Sequence, residues 1–318
     1  MEVASLYADP KQWPVLSAET FPTENFRPID AILKTVEELL PYGIRVVTTT
    51  WGALGSARGG TPSVSRIIHE RFNIPTVVHF SIQAKTKRDI EGLLRSLHLD
   101  GLHNILALGG DPPAGQVDYV PPQLRHRYAA DLVEQLVHMN KGLWMDQDGS
   151  YTRKGFQTHF GIGVAGFPEV HPNDWRPEED FDTNLKRHIE HLKIKVDAGA
   201  DYIVEQMIFD AGLHFRYEKA VSQAGITIPI IPGILPFDRL PQASRFLTDD
   251  LRISMPSAIR SKLEKAPDEE QERLAADYMA AQVQKLLDAG VPGIHFYVLN
   301  RSEAAADVLR HVKLDVGL

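Results

Sequence analysis

PTVVHFSIQAKTKRDIEGLLRSLHLDGLHNILALGGD, residues 75–111, holds two short apolar runs with an amphipathic stretch between them. The runs PTVVHFSI (75–82) and NILALGGD (104–111) are too short for helices, rich in β-branched residues and bounded by Pro, Asn or Gly, so they predict strands. TKRDIEGLLRSLHL (86–99) carries apolar residues at helical spacing and stops before Gly101. The second run ends by fixing one carboxylate, Asp111, between a glycine pair and two prolines. Glycines let backbone approach a neighbour closely, and Pro-Pro forbids helix directly after it.

The same unit recurs in both directions. Further runs are VLSAETFP (15–22), IRVVTTTW (44–51), HFGIGVAGFP (159–168), YIVEQMIF (202–209), IPIIPGILP (228–236) and GIHFYVLN (293–300). Helical patterns such as PIDAILKTVEELLPY and DEEQERLAADYMAAQVQKLLDAG alternate with them, several closed by a glycine (Gly43, Gly199, Gly290). Eight strands, each followed by helical sequence, predict an α/β fold: one (β/α)8 barrel over residues 1–318. An open doubly wound sheet usually needs fewer strands. Two segments break the rhythm: the polar, turn-rich 140–158, read as a hairpin or loop inserted after the fourth helix, and an extra helical piece at 248–267 before strand 8.

Composition narrows the function classes. A net charge of -8 argues against a nucleic-acid surface, and the absence of cysteine removes disulfides, thiolate metal sites and a cysteine nucleophile. No apolar run reaches the length of a membrane span, and MEVASLYADPKQWP lacks the pattern of a signal peptide, so a cytoplasmic protein is expected. Exposed barrel helices leave homo-oligomerisation open.

GIGVAG (161–166) matches GxGxxG, but its glycines lie within a strand and Phe167-Pro168 follows where a helix should open. Small residues packing inside a barrel explain it better. GALGSARGGT (52–61) lacks the Gly-Lys-Ser/Thr of a phosphate-binding loop. RHIEHLK (187–193) sets His188 and His191 three apart, a spacing that a solvated helix face explains better than a metal site with no third ligand. HExxH and GxSxG are both absent.

Polar residues at the strand ends are more informative, because active sites of barrels gather at the C-terminal rim. The rim set is Glu19, Thr50, His79 and Gln83, Asp111, Glu169 and His171, Glu205 and Gln206, and Tyr297 and Asn300. A structural hydrogen bond accounts for any one of them as well as a functional role does; convergence of so many favours a site. Two carboxylates on separate strands, Glu19 and Asp111, suit a division between proton donation and ligand orientation.

SAETFPT (17–23), TTTWGA (48–53), VVHFS (77–81), LALGGDPP (106–113), FPEVHP (167–172), KVDAGADYIVEQMIFD (195–210), IPIIPGILP (228–236) and HFYVLNR (295–301) together resemble the methylenetetrahydrofolate reductase family, in its order and over roughly residues 17–301. The likeness is to the short bacterial form, a catalytic barrel without a regulatory domain. It implies a flavoprotein that takes hydride from NADH or NADPH into FAD and passes it to 5,10-methylenetetrahydrofolate, giving 5-methyltetrahydrofolate for methionine biosynthesis. By that resemblance the general acid falls on Glu19, and the aspartate beside flavin and pterin on Asp111. Cofactor contacts fall on Thr50, Trp51, Ala53, His79, Leu108, Gly109, Gly110, Asp111, Tyr128, Ala129, Ala165, Phe167, His171 and Lys195. Folate contacts fall on Glu19, Asp111, Gln206, Phe246 and Arg301, and no metal is implied.

The chain departs from the family pattern at several points. Gly109 stands for an arginine, Phe167 and Trp51 for tyrosines, and His188, His191 and Ile194 for an Asp, an Asn and an Arg near the AMP half of FAD. Two other readings stand beside the flavoenzyme: direct hydride transfer from nicotinamide to folate, and a folate-binding barrel without catalysis. Binding alone needs no acid at Glu19, which counts against the last.

Overall fold

In the computed structural model, which describes residues 2–22, 29–51, 60–110, 120–248 and 251–314, eight parallel strands close into a barrel. The barrel strands are β1 (Val15–Thr20), β2 (Ile44–Thr49), β3 (Thr76–Ser81), β4 (Asn104–Leu108), β7 (Gly161–Gly166), β8 (Tyr202–Ile208), β9 (Ile230–Ile234) and β10 (Gly293–Tyr297). They neighbour one another in chain order, and β10 closes onto β1 in the register Ser17↔His295 and Glu19↔Tyr297. Each strand sits inside a run expected from the sequence. Buried parallel strands need apolar residues on both faces, and only continuous apolar runs supply them.

Helices α2 (Asp30–Leu39), α3 (Thr61–Phe72), α4 (Lys87–Leu99), α5 (Ala129–Asn140), α6 (Phe181–Asp197), α7 (Ala211–Gln223), α10 (Asp268–Asp288) and α11 (Glu303–Arg310) form the outer layer. α4 shows why these stretches coil. Thr86 and Asp89 cap its first turn reciprocally, and Ile90, Leu94 and Leu97 share one stripe on the barrel wall. Each such side chain contributes about 1.5–3 kcal/mol by leaving water. The 140–158 stretch forms an antiparallel ribbon of β5 (Leu143–Trp144) and β6 (Arg153–Lys154), and α8 (Leu240–Ser244) and α9 (Ser257–Lys265) precede α10. Among the described residues no helix is long and apolar enough to cross a membrane.

The strand side chains divide by alternation into two outer clusters and one inner cluster. Leu16, Ala18, Ile294 and Phe296 face α-helices, as do Val78, Phe80, Ile105 and Ile203. Val15, Val46, Val77, Leu106, Tyr202, Val204 and Ile231 pack together inside with Val3, Leu6 and Tyr7 of an N-terminal helix, α1 (Val3–Ala8). This helix floors the barrel. The Val3 amide donates to Asn104 Oδ1 at 2.7 Å, and the Tyr7 ring lies 5.0 Å from that of Tyr202. GIGVAG is the wall of this interior: a Cβ on Gly163 would stand 2.6 Å from the Tyr202 ring. The glycines make room for an aromatic; they do not form a nucleotide turn.

Candidate active site

Alternation that sends Leu16 and Ala18 outward sends Ser17 and Glu19 into the barrel, and on β3 it sends Val77, His79 and Ser81 inward. Glu19 Oε2 therefore meets two imidazoles, His79 Nδ1 at 3.6 Å and His295 Nε2 at 3.9 Å. The Glu19 side chain keeps 14% of its surface, whereas both histidines are buried. Burial pushes His79 down to about 4; the Glu19 charge opposes this and His295 adds to it, so His79 is neutral at physiological pH. His79 Nε2, His295 Nε2 and Thr48 Oγ1 are buried with no hydrogen-bond partner among the described residues. Tyr297, next along β10, donates its hydroxyl to the Glu205 carbonyl at 2.7 Å.

Several residues expected from the sequence lie at or just past the C-terminal ends of β2, β3 and β4. Thr50 is buried just past β2, its amide donating to the Thr20 carbonyl and its carbonyl accepting from Thr61 Oγ1. Trp51 packs on Phe80 at 5.0 Å, and Lys85 Nζ lies 5.1 Å from the indole centroid. Leu108 ends β4, followed by Gly109 and Gly110. Gly110 has φ +78°, and a Cβ there would fall 1.9 Å from Ser81 Oγ, so glycine is required where the chain turns over the rim. Gln83 Nε2 donates to its carbonyl at 3.1 Å.

On the next strand Ala165 presents its carbonyl to Lys195 Nζ at 2.6 Å. Burial lowers the Lys195 ammonium to about 8, against the pull of Asp174. Phe167 stacks edge-on with His171 at 4.5 Å. The expectation of a solvated His188–His191 face holds for His191, which is exposed, and needs correcting for His188, which is buried. Leu185, His188, Ile189 and Leu192 form the buried stripe of α6, and both histidines donate through Nδ1 to Asp174, each at 2.7 Å. Burial alone would raise Asp174, but those two bonds hold it at about 2. Among the described residues no group of three His, Asp or Glu is placed to hold a metal ion.

Other expected residues have partners of their own. Glu205 does not reach the rim: it is fully buried on the outward face of β8, bonded to His214 of α7. Asn300 is a strap, accepting from the Phe21 amide and donating to its carbonyl. Glu169 accepts from the Ser254 amide. Gln206 lines a small cavity with Phe167, Glu169 and Leu251, its own Oε1 turned onto the Met207 amide. Phe246, after α8, packs partly buried on the outer core, and Arg301 is exposed and paired with Asp238 and Glu303. Tyr128 is 57% exposed at the start of α5, with Ala129 half-buried beside it. Asp111 and Ala53 lie outside the described residues.

The sequence reading missed His295 and Ser17. The signal was available: Ser17 lies two before Glu19, and His295 two before Tyr297, which places each pair on one face of its strand.

The family model for methylenetetrahydrofolate reductase matches residues 5–313. The 5,10-methylenetetrahydrofolate reductases of Salmonella typhimurium and Escherichia coli are 30% and 29% identical to the chain, each over 95% of it and 92% of the relative. A probable NADH-dependent methylenetetrahydrofolate reductase of rice is 29% identical over 94% of this chain but 48% of its own length. The chain thus spans about half the length of the plant and yeast relatives it matches. Among solved structures, a Clostridium thermocellum protein that binds two copies of 5-methyl-5,6,7,8-tetrahydrofolic acid shares the fold, with TM-score 0.57, 13% identity, and 94% and 93% of the two chains covered. With the family model matched over nearly the whole chain and a closed parallel barrel holding an inward glutamate, this chain belongs to the methylenetetrahydrofolate reductase family.

Proposed function

We propose that the chain is a single catalytic barrel that reduces 5,10-methylenetetrahydrofolate to 5-methyltetrahydrofolate with NADH or NADPH, using FAD and with Glu19 as the general acid. The observation that carries this reading is the carboxyl of Glu19, set among buried imidazoles in the barrel mouth. The folate one-carbon unit accepts hydride only after its five-membered ring opens to an iminium. Opening needs a proton on the departing nitrogen, and a positioned acid contributes about 10²- to 10⁴-fold to such a step. His79, neutral and flanking the same oxygen, cannot compete as the proton source.

The residues present suit a flavin. Buried polar atoms without protein partners, His79 Nε2 and Thr48 Oγ1, are of the kind a bound group satisfies. Gly109, Gly110 and Ala165 keep the rim low, Trp51 offers a ring, and Lys195 offers a cation to a phosphate. FAD bound there would carry the hydride between nicotinamide and folate. The protein's share is then to hold the pterin through Asp111 and Gln206, to deliver the Glu19 proton, and to keep water from the opened ring.

Glu19→Gln tests the reading. Gln keeps the outline and the hydrogen-bonding reach but delivers no proton. Oxidation of NAD(P)H by the purified holoprotein should stay within a small factor of wild type, while reoxidation by methylenetetrahydrofolate in stopped flow falls about 10²- to 10⁴-fold. Reoxidation at the wild-type rate would remove Glu19 from the role. A colourless protein that still reduces folate would favour direct transfer from nicotinamide.

A further inference from the structure

Below Glu19 a line of polar groups runs toward the floor of the barrel. The Tyr7 hydroxyl donates to Ser17 Oγ at 3.4 Å, and Ser17 Oγ lies 2.9 Å from His295 Nδ1. The other nitrogen of that ring, Nε2, faces Glu19 Oε2 at 3.9 Å and has no hydrogen-bond partner among the described residues. Tyr7, Ser17 and His295 are each at most 2% exposed, so water does not blur which group donates to which.

The hydrogens along this line can be placed from one end. Burial pushes the Tyr7 phenol up to about 12, with the Ser17 hydrogen bond pulling the other way, so Tyr7 keeps its proton and donates it to Ser17 Oγ. Ser17 then has one hydrogen of its own to give. Its acceptors within reach are the Ile294 carbonyl at 3.4 Å and His295 Nδ1 at 2.9 Å, and the nearer one is the imidazole nitrogen. A neutral imidazole that accepts at Nδ1 carries its hydrogen on Nε2. With Ser17 donating to the imidazole, the nitrogen turned toward Glu19 is a donor.

We propose that His295 is a positioning residue for Glu19: the Tyr7–Ser17 line fixes its tautomer, so that Nε2–H is presented to the carboxylate that Glu19 becomes on giving its proton away. This rests on Glu19 being the acid. In that step the proton moves from Glu19 to the departing folate nitrogen, the carbon–nitrogen bond breaks, and its electron pair stays on that nitrogen. His295 gains and loses no proton; a rotation of the Glu19 carboxylate would close the gap, 3.9 Å in the structure, to bonding distance. Tyr7 cannot extend the line into a proton wire, because its phenol has no solvent to refill it. Ser17 and His295 lie opposite each other in the β1–β10 register, which holds the line rigid.

The test uses holoprotein with histidine labelled by nitrogen-15. Long-range proton–nitrogen correlation should show His295 in the Nε2–H form in wild type, and that preference should be lost in Ser17→Ala. Turnover of methylenetetrahydrofolate should fall about 10- to 100-fold in Ser17→Ala and His295→Leu, the loss expected for one hydrogen bond to a charged group. KM for NAD(P)H should not move. His295→Gln, whose amide can donate to Glu19, should recover part of the loss. If His295→Leu does not fold, Ser17→Ala, which deletes one oxygen, decides the matter. An Nδ1–H form in wild type, or turnover within twofold of wild type in Ser17→Ala while Glu19→Gln is inactive, overturns the proposal and leaves the acid standing. An active Glu19→Gln overturns the acid assignment itself, and the role proposed for His295 with it.

Discussion

His214 Nδ1 lies 2.8 Å from Glu205 Oε1, and neither side chain has any exposed surface. The pair joins α7 to the outer face of β8, one residue before Gln206 and at the carbonyl that accepts from Tyr297. Glu205 Oε2 and His214 Nε2 have no further hydrogen-bond partner among the described residues, so the pair depends on itself. His214→Leu should cost about 3–5 kcal/mol, since it leaves a buried carboxylate alone. Adding Glu205→Gln to that variant should return most of the loss. Urea unfolding of the two single variants and the double measures this, and additive losses would show that the two groups act independently.

The same pair sets a pH dependence. Burial works to lower His214, but the charge and hydrogen bond of Glu205, with help from Glu218, raise it overall. A histidine raised above its unfolded value of about 6.5 contributes stability that is complete below that pH. The contribution fades as pH rises through the higher folded value. Melting temperature should therefore decline on the alkaline side, and the slope should flatten in the Glu205→Gln/His214→Leu double variant. Equal slopes would place the titration elsewhere.

Lys195 gives a second titration with a binding readout. Its ammonium, lowered to about 8 by burial, is the cation beside Ala165. If it meets a phosphate of FAD, affinity should weaken about 10- to 100-fold as pH rises through that value, as one charge-assisted bond is lost. Flavin fluorescence quenching at a series of pH values measures this. Lys195→Met should bind weakly at every pH.

Gly163→Ala probes the interior. Its methyl would meet the Tyr202 ring at 2.6 Å, and ring and backbone are both confined by the barrel. Overpacking of this kind costs about 1–3 kcal/mol. Tyr202→Leu in the same chain should return part of it, as read from denaturation midpoints.

The strands were legible because a parallel barrel writes each of them as a bounded apolar run, and the glycine-rich β7 was legible as packing because proline follows it. Glu19, Thr50 and His79 were legible for the same reason, being polar where a buried strand should be apolar. Three things were hidden. α1 is only six residues long, too short to show a period. His188 looked solvated because Arg187, Glu190 and Lys193 stand close to it in sequence, whereas it shares a buried stripe with Leu185, Ile189 and Leu192, at positions −3, +1 and +4 from it. Glu205 looked like a rim residue because a strand end carries no mark of which way it faces, and a register shift between Val204 and Met207 lies there.

The floor helix α1 is synthesised before the strands it packs against. Asn104, Tyr202 and Ile231, which receive Val3 and Tyr7, are far down the chain, so the apolar side of α1 has nothing to cover it while the ribosome is still making the middle strands. Closing the barrel pairs β1 with β10 across most of the sequence, a long loop closure. A nascent chain stalled before residue 202 would show Leu6 and Tyr7 to chaperones, and a chain lacking those first turns would leave the barrel open to water from below.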